Sequence, residues 1–231
     1  MTRRQERIVI TGDDRLRKEL ADVCRSAGFL TGAPGSAGAR SALCAFEVTN
    51  LDRERKKKNL RAIERSVPSA RVIFSSSVTV TVDEQAGWLR NPGRLVGISA
   101  LPGFIGNRLT EIAPGTLTSR ERIAEAGEIL GRCGKSFRIV QDRIGMVFPR
   151  IICMLINEAA FALTEQAASP QNLDKAMKLG ARYPAGPVEL IEKVGASEIV
   201  AVLDALARDL GEERYRTAPL LRQLALQTRF S

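Results

Sequence analysis

Glu111 is the residue whose type and setting first suggest chemistry. It lies near the end of an apolar stretch that is rich in glycine and proline, VGISALPGFIGNRLTEIA, from Val96 to Ala113. A carboxylate in such a setting often orients a catalytic imidazole, which can take up or release a proton near neutral pH. The chain has 231 residues and no histidine. The sequence therefore raises the question of what Glu111 does without one.

Composition places the chain among ordinary globular proteins. Hydrophobic residues make up 44% and charged residues 26% of the sequence, and a chain of this length can bury a sizeable core as one large or two small domains. No apolar run reaches the ~18 residues that a membrane helix needs. The start, MTRRQERIVI, has no signal-peptide core. We therefore expect a cytoplasmic protein that does not enter a membrane.

A net charge of +9 favours an anionic partner, such as nucleic acid or a phosphate-rich small molecule. Aromatic residues make up only 5% of the sequence, so surfaces on which bases could stack are scarce and nucleic acid is the less favoured class. The densest basic run is RERKKKNLRAIER, from Arg53 to Arg65. It fits either a solvated helix face or a surface that attracts phosphate.

The four cysteines are scattered along the chain and form no C-x-x-C pair. Free cysteines without such a pattern usually behave as small buried hydrophobic residues. We expect Cys24, Cys44, Cys133 and Cys153 to be reduced residues of the core.

The N-terminal part of the sequence alternates between short β-branched runs and amphipathic helices. One helix follows the first strand and ends near Gly28, the basic run forms a second, and Ser119 caps a third. The segment from Thr31 to Ser41 is a loop of small residues. Such alternation predicts a mostly parallel sheet covered by helices. The predicted strands are Arg7–Thr11, Ala42–Val48, Ala70–Val82, Arg94–Ala100 and Ser136–Val140.

The sequence after Ile144 predicts helices only, the last of them TAPLLRQLALQTRF. The boundary between the two parts falls near Gln141 to Gly145. The first of these helices is apolar on nearly every face from Ile151 to Leu163, which indicates burial on all sides. It is either an internal core helix or a subunit interface, and we expect a homodimer through it.

Four stretches of the sequence resemble one family. NLDKAMKLGARYPAGPVELIEKVG, from Asn172 to Gly195, matches nearly throughout the D-x-A-M-x-x-G-x-x-x-P-x-G-P-x-E-L pattern of the C-terminal domain of 3-hydroxyacyl-CoA dehydrogenases. The other three are RLVGISALPGFIGNRLTEI, DRIGMVFPRI and GEERYRTAPLLRQL. The resemblance runs from about Val72 to Phe230 and weakens upstream to the order of the strands.

This resemblance implies an α/β fold in two domains. Residues 1–141 would form a Rossmann-like, mostly parallel sheet domain, and residues 142–231 an all-α domain like the C-terminal domain of 6-phosphogluconate dehydrogenase. In the family the helical domain forms the dimer and the far wall of the cleft. The N-terminal domain looks degenerate and shortened, because the family's CoA-binding helical hairpin has no counterpart between Gly28 and Ser41.

The resemblance also indicates which partner Glu111 lacks. In the family a histidine ends the fourth strand and a glutamate follows twelve residues later, and the matching positions here are Ser99 and Glu111. A serine hydroxyl cannot take up a proton at neutral pH as an imidazole does. The family's asparagine at the opening of the first C-terminal helix is replaced by Pro149. Glu111 is then either a structural hydrogen-bonding residue or an acid or base in another reaction.

The loop that would bind the pyrophosphate of NAD is altered as well. A dinucleotide fold uses G-x-G-x-x-G after its first strand so that backbone amides can approach the pyrophosphate. In TGDDRLRKE, aligned on Gly12, the second and third glycines become Asp14 and Arg17. Asp13 and Asp14 place negative charge where phosphate would lie, although acidic residues there also favour the helix.

The resemblance places three further positions beside the nicotinamide: Glu47, Ser76 and Thr79. The family's E-A-x-x-E loop resembles EVTN here, from Glu47 to Asn50, without its second carboxylate. We therefore expect no cofactor, unless the family activity survives, in which case it is NAD.

Three functions stay open. The first is a 3-hydroxyacyl-CoA dehydrogenase-like protein that is impaired in hydride transfer and binds a ligand or a partner. The second is an NAD-dependent 3-hydroxyacyl-CoA dehydrogenase with a diverged site, and the third is a basic protein associated with nucleic acid. The missing histidine and glycines favour the first, with an acyl-CoA or another anionic small molecule as the ligand.

Overall fold

The computed structural model describes residues 6–227, and its N-terminal part is built around one sheet of seven strands. The order of the strands is β2-β1-β3-β4-β5-β6-β7. Neighbouring strands are parallel except β5 and β6, which are antiparallel. The strands are β1 (Arg7–Gly12), β2 (Leu30–Gly32), β3 (Cys44–Val48), β4 (Ile73–Ser76), β5 (Leu95–Ile98), β6 (Leu109–Pro114) and β7 (Ser136–Ile139).

Helices cover both faces of this sheet. Their spans are α1 (Asp14–Ser26), α2 (Arg53–Ser66), α3 (Val82–Ala86) and α4 (Arg120–Arg132). Helix α1 buries Leu16, Leu20 and Cys24, which recur every four residues, and it shares a core with α4 and the strands. Helix α2 packs Leu60 and Ile63 into a second core on the other face. The helix predicted from the basic run is therefore present, and its apolar residues are the ones it buries.

The C-terminal part is helical throughout its described length. It comprises α5 (Phe148–Thr164), α6 (Pro170–Gly180), α7 (Pro187–Val194), α8 (Ala196–Leu210) and α9 (Pro219–Gln227). These helices share a third core, to which Val78 and Leu101 of the N-terminal part contribute. The two parts are thus packed together through apolar contacts as well as through the site described below.

The predicted fold class is confirmed, but two strands and one helix are additional to the prediction. Strand β2 lies at the start of the segment predicted as a loop, and β6 follows the fourth predicted strand. The strand predicted for Ala70–Val82 is wrong beyond Ser76. There Val78 turns into the helical core, and Thr81 accepts a hydrogen bond from Glu84 N and so begins α3.

The prediction that α5 is buried on all sides is wrong for one side. Ile152, Cys153 and Ile156 are in the helical core, whereas Ile151 is 62% exposed. The predicted boundary at 141/142 falls in the connection between β7 and α5, and the division into two domains stays a prediction. The predicted last helix matches α9, and its end at 228–230 lies outside the described residues. Within residues 6–227 no helix is long and apolar enough to cross a bilayer.

Candidate functional site

The carboxyl ends of the parallel strands form the place where this fold can bind a ligand. From β1 the chain passes through α1 to β2 on one side, and then crosses to β3 on the other side of β1. Open α/β sheets bind ligands where the strand order reverses in this way. The loops after β1, β3 and β4 meet there and face the helices of the C-terminal part.

The turn after β1 is held shut against β3. Gly12 has a φ of 140°, and a Cβ atom added to it would lie 2.5 Å from the carbonyl carbon of Val48, so only glycine fits. Asp13 follows, and its carboxylate accepts hydrogen bonds from the backbone amides of Asn50 at 2.7 Å and Leu51 at 3.3 Å. Asp13 is 9% exposed. A buried carboxylate therefore occupies the turn on which a dinucleotide fold would rest its pyrophosphate.

The two loop positions singled out by their departure from glycine lie outside this turn. Asp14 and Arg17 form an exposed ion pair of 3.3 Å on the first turn of α1. Arg15, between them, reaches the end of α7, where its guanidinium donates to the carbonyls of Lys193 at 2.5 Å and Val194 at 3.4 Å. The residue that connects α1 to the helical part is thus Arg15, which the sequence did not single out.

A pocket of about 410 Å³ opens between α1 and the ends of β1 and β2. Three guanidinium groups line it, from Arg17, Arg25 and Arg55, and its described lining includes no carboxylate. A dinucleotide fold uses a carboxylate here to bind the ribose hydroxyls. With that acceptor missing and Asp13 in the turn, the residues present do not fit NAD, although the arginines suit a smaller anionic group.

Glu47 lies inside the protein, in a network that ties β3 to α2. Its carboxylate is fully buried and forms an ion pair of 2.5 Å with Lys56, which is 1% exposed. It also accepts hydrogen bonds from the hydroxyl and backbone amide of Thr49, from Asn59 and from Ser75. All of this capacity is used within the chain, so Glu47 shapes the loop before α2 rather than facing a ligand.

Asn50 fills the centre of the cleft between the two parts. Its amide donates 2.9 Å hydrogen bonds to the carbonyl of Ala100 and to the carboxyl of Glu198 on α8, and its oxygen accepts one of 2.6 Å from Ser76. Thr79 donates to the backbone carbonyl of Asn50 at 3.1 Å. Two of the residues predicted to face a nicotinamide, Ser76 and Thr79, therefore hold the loop that closes this space.

Glu198 is a buried carboxyl group at the contact between the two parts of the chain. It is 7% exposed, and burial raises its pKa to about 7, with Asp13 and Glu19 raising the pKa further and Asn50 and Arg15 lowering it. Because the folded protein keeps this proton where the unfolded chain has lost it, the stabilising contribution is fully present below pH ~4.5 and is lost as the pH rises through about 7.

We expect Glu198→Gln to remove this pH dependence. The amide oxygen can still accept from Asn50, and the variant has no charge to bury above pH 7. A pKa displaced from 4.5 to about 7 corresponds to on the order of 3 kcal/mol, so the variant should gain about that much over the wild type at pH 8 and little at pH 5. Denaturant unfolding at the two pH values measures this, with the exposed Glu158→Gln on α5 as control. A wild type that gains stability relative to Glu198→Gln between pH 5 and 8 would contradict the assignment.

Ser99 and Glu111 are neighbours across β5 and β6, but they do not form an acid–base pair. The Ser99 hydroxyl accepts from the backbone amide of Glu111 at 3.1 Å, and the Ser99 amide donates to the Glu111 carbonyl at 3.2 Å. The Glu111 carboxylate points to α5 instead. There it accepts hydrogen bonds from the amides of Val147 at 3.0 Å and Phe148 at 2.8 Å.

Glu111 therefore caps the first turn of α5. The leading amides of a helix have no partners within the helix, and a carboxylate stabilises both these amides and the helix dipole. Pro149 is buried in the same turn, where proline is tolerated because its missing amide would be unpaired anyway. This geometry gives Glu111 a structural use that needs no histidine.

A second opening of about 500 Å³ lies between the loop after β3 and helices α8 and α9. Charged side chains line it from both parts of the chain, among them Arg53, Asp204 and Arg208. Ser99 and Glu111 are not among its lining residues within the described chain. Its volume is in the range of small-molecule sites, but it gives a ligand no access to the Ser99–Glu111 pair.

Three partners in this site were missed by sequence reasoning: Lys56, Arg15 and Glu198. Lys56 sits in a run of five cations and looks like its exposed neighbours, and only its place on the apolar stripe with Leu60 and Ile63 distinguishes it. Glu198 bonds a residue 148 positions away. No local pattern reports contacts of that range.

The fold and the site together define a class of protein. A parallel sheet with its crossover beside β1, continued by an all-helical part that closes the cleft, is the architecture of Rossmann-like dehydrogenases with a helical C-terminal domain. Residues 145–231 match the family model described as 3-hydroxyacyl-CoA dehydrogenase, C-terminal domain. The chain belongs to a 3-hydroxyacyl-CoA dehydrogenase-like family, which confirms the resemblance.

Individual relatives agree with this placement. A probable 3-hydroxybutyryl-CoA dehydrogenase of Bacillus subtilis is 29% identical over 168 residues, which cover 73% of this chain and 58% of that protein. The crystal structure of (S)-3-hydroxybutyryl-CoA dehydrogenase PaaH1 from Ralstonia eutropha superposes with a TM-score of 0.80 at 21% identity, covering 97% of this chain and 94% of that one. FadB2 of M. tuberculosis gives a TM-score of 0.85 at 18% identity, with coverages of 97% and 94%. At these identities the structures show the fold alone.

The chain matches only part of the length of its curated relatives. The matched regions span 58%, 51% and 64% of three proteins named as probable or established 3-hydroxybutyryl-CoA dehydrogenases. What those proteins do is therefore a starting point for a proposal about this chain.

Proposed function

We propose that this protein is a family member impaired in hydride transfer, and that it acts by binding a ligand or a partner. One observation carries the proposal: the Ser99 hydroxyl is bonded to a backbone amide, while the Glu111 carboxylate is bonded to two amides of α5. A base for the reaction must hold a proton-accepting group toward the substrate, and this pair offers none.

The ligand we propose is a small anion, an acyl-CoA or another phosphate-bearing molecule. The net charge of +9 and the three guanidinium groups of the 410 Å³ pocket support this class. Arg25 and Arg55 already bond neighbours, at 3.0 Å to Asp22 and at 2.9 Å to the Gly12 carbonyl. A phosphate oxygen would have to compete with these contacts or share the guanidinium groups, so we propose modest affinity.

The purified protein should not oxidise NADH with acetoacetyl-CoA above the buffer background. Loss of a general base alone costs ~10²- to 10⁴-fold, and the residues of the turn after β1 do not fit the dinucleotide. Absorbance at the NADH band follows the reaction, and an NADH titration by calorimetry tests binding separately. Turnover at a few per second would support the alternative suggested by the names of the relatives, an NAD-dependent 3-hydroxyacyl-CoA dehydrogenase with a diverged site.

We also propose a homodimer formed through α5 and α6. Helix α6 has no buried residue in the single chain, and Ile151 and Leu179 are 62% and 72% exposed. Large apolar side chains exposed together on neighbouring helices mark an interaction surface.

Ile151→Asp should convert the dimer to a folded monomer, because it places an unpaired charge in an apolar interface. Light scattering at micromolar concentration gives the mass, and circular dichroism shows that the fold is kept. Leu226→Asp, on the exposed side of α9, is the matched control and should stay dimeric. A wild type that is already monomeric under these conditions would refute the dimer.

A further inference from the structure

Three of the four cysteines lie in one cluster between α1 and α4. Cys24 is in the last turn of α1, Cys44 begins β3, and Cys133 follows the last residue of α4. Cys24 and Cys44 are fully buried members of the core on this face, and Cys133 is half-buried against it. The sequence, in which these residues are far apart, predicts only reduced core residues.

Cys24 and Cys133 are direct partners. Their side chains are hydrogen-bonded to each other, and Cys44 is a close electrostatic neighbour of Cys24 and Cys133. A disulfide needs β-carbons about 3.5–4.5 Å apart, and thiols that share a hydrogen bond are already close to that arrangement. Within residues 6–227 no group of three metal-binding side chains is arranged around an ion, so this cluster points to thiol chemistry.

The environment separates the roles of the two thiols. The hydrogen bond from Cys24, together with Lys135 and Arg132, lowers the pKa of Cys133, whereas the same hydrogen bond and burial raise the pKa of Cys24. Lys135 is held beside Cys133 by hydrogen bonds to the carbonyls of Ile105 at 2.6 Å and Asn107 at 2.7 Å. Cys133 is therefore the more nucleophilic thiol and the one that solvent reaches.

We propose that Cys133 and Cys24 form a reversible disulfide on exposure to hydrogen peroxide. The Cys133 thiolate attacks one peroxide oxygen, the O–O bond breaks, and protonation of the departing hydroxide gives water and a sulfenic acid on Cys133. The Cys24 sulfur then attacks the Cys133 sulfur, the S–O bond breaks, and the Cys24 proton leaves with the hydroxyl as a second water. Two thiols are oxidised by two electrons, and one peroxide is reduced to two waters.

The disulfide would join the end of α1 to the end of α4 across the core on this face of the sheet. Closing so long a segment of chain restricts the unfolded protein, which stabilises the fold. The oxidised protein should therefore show a raised Tm, and a reducing agent should return it to the starting value. This property is independent of whether the protein catalyses hydride transfer.

The test uses the full chain, reduced and then treated with hydrogen peroxide under native conditions. Mass spectrometry of a non-reducing digest should show a peptide pair linked through Cys24 and Cys133, and dithiothreitol should remove it. Cys133→Ser should abolish the link, and Cys153→Ser, with its buried thiol on α5, should leave it unchanged. In Cys24→Ala, dimedone should trap the sulfenic acid on Cys133.

The wild type alone can overturn the proposal, so it does not depend on how well the variants fold. Native protein in which peroxide leaves both thiols free to alkylation, or links Cys24 to Cys44 instead, refutes it. A link that forms only after denaturation refutes it too, because the folded arrangement would then contribute nothing.

Discussion

Lys56→Met should lower the free energy of unfolding by on the order of 3 to 5 kcal/mol. Breaking a buried ion pair from one side leaves the other charge buried without its partner. Here the stranded group is the Glu47 carboxylate, which is fully buried and 2.5 Å from the Lys56 ammonium. Lys56 also donates to the carbonyl of Thr49 at 3.0 Å, and that acceptor loses its donor as well. Denaturant unfolding followed by circular dichroism measures the change.

Two further variants make the cause specific. Lys58→Met removes an exposed cation from the same helix, and we expect a change within about 0.5 kcal/mol. Glu47→Met combined with Lys56→Met removes both charges, and apolar replacement of a whole buried pair is often close to neutral. The double variant should therefore be more stable than Lys56→Met alone. A Lys56→Met protein as stable as Lys58→Met would show that the pair does not hold the loop before α2.

How far the sequence determines this fold depends on the length of each element. Helices α1 and α2 could be predicted because their apolar residues recur at helical spacing over several turns. Strand β2 has three residues at the edge of the sheet, too few to show a period. Strand β6 exposes Leu109 and carries Thr110 and Glu111, so it lacks the apolar run by which the buried parallel strands are recognised.

The strand predicted through Ala70–Val82 failed for a different reason. The alternation of valine and threonine after Ser77 has the period of a strand. In the structure Val78 packs among the C-terminal helices, and Val82 packs against the sheet as the first residue of α3. The valines are buried as the pattern indicates, but two different cores bury them.

For the candidate site, spacing predicted neighbours but not partners. Ser99 and Glu111 do lie side by side, as a pair on two adjoining strands must. The bonds of the Glu111 carboxylate run to amides 36 and 37 residues further along the chain, and these depend on how α5 is set against the sheet. The roles of Glu47, Ser76 and Thr79 likewise follow from tertiary contacts that no short motif contains.

Ser99→His combined with Pro149→Asn should remain inactive, although it restores both family residues beside Glu111. Hydride transfer needs the two reactants held in a near-attack geometry. That in turn needs the dinucleotide pyrophosphate against backbone amides at the start of α1. The Asp13 carboxylate occupies that turn, bonded to the amides of Asn50 and Leu51. Two like charges ~4 Å apart repel by about 1 kcal/mol even in bulk water, and by more near a protein surface.

The space beyond that turn is blocked as well, because Asn50 spans it from Ser76 to Glu198. We therefore expect NADH to bind the double variant as weakly as the wild type, with reduction of acetoacetyl-CoA at background. Circular dichroism and Tm show whether the variant has folded, so that inactivity is not mistaken for unfolding. Adding Asp13→Ala and Asp14→Gly to the two changes opens the turn, and any gain in NADH affinity should appear only there. Robust activity with Ser99→His and Pro149→Asn alone would mean that the turn after β1 accepts the dinucleotide as it stands, and that the loss of the histidine is the whole defect.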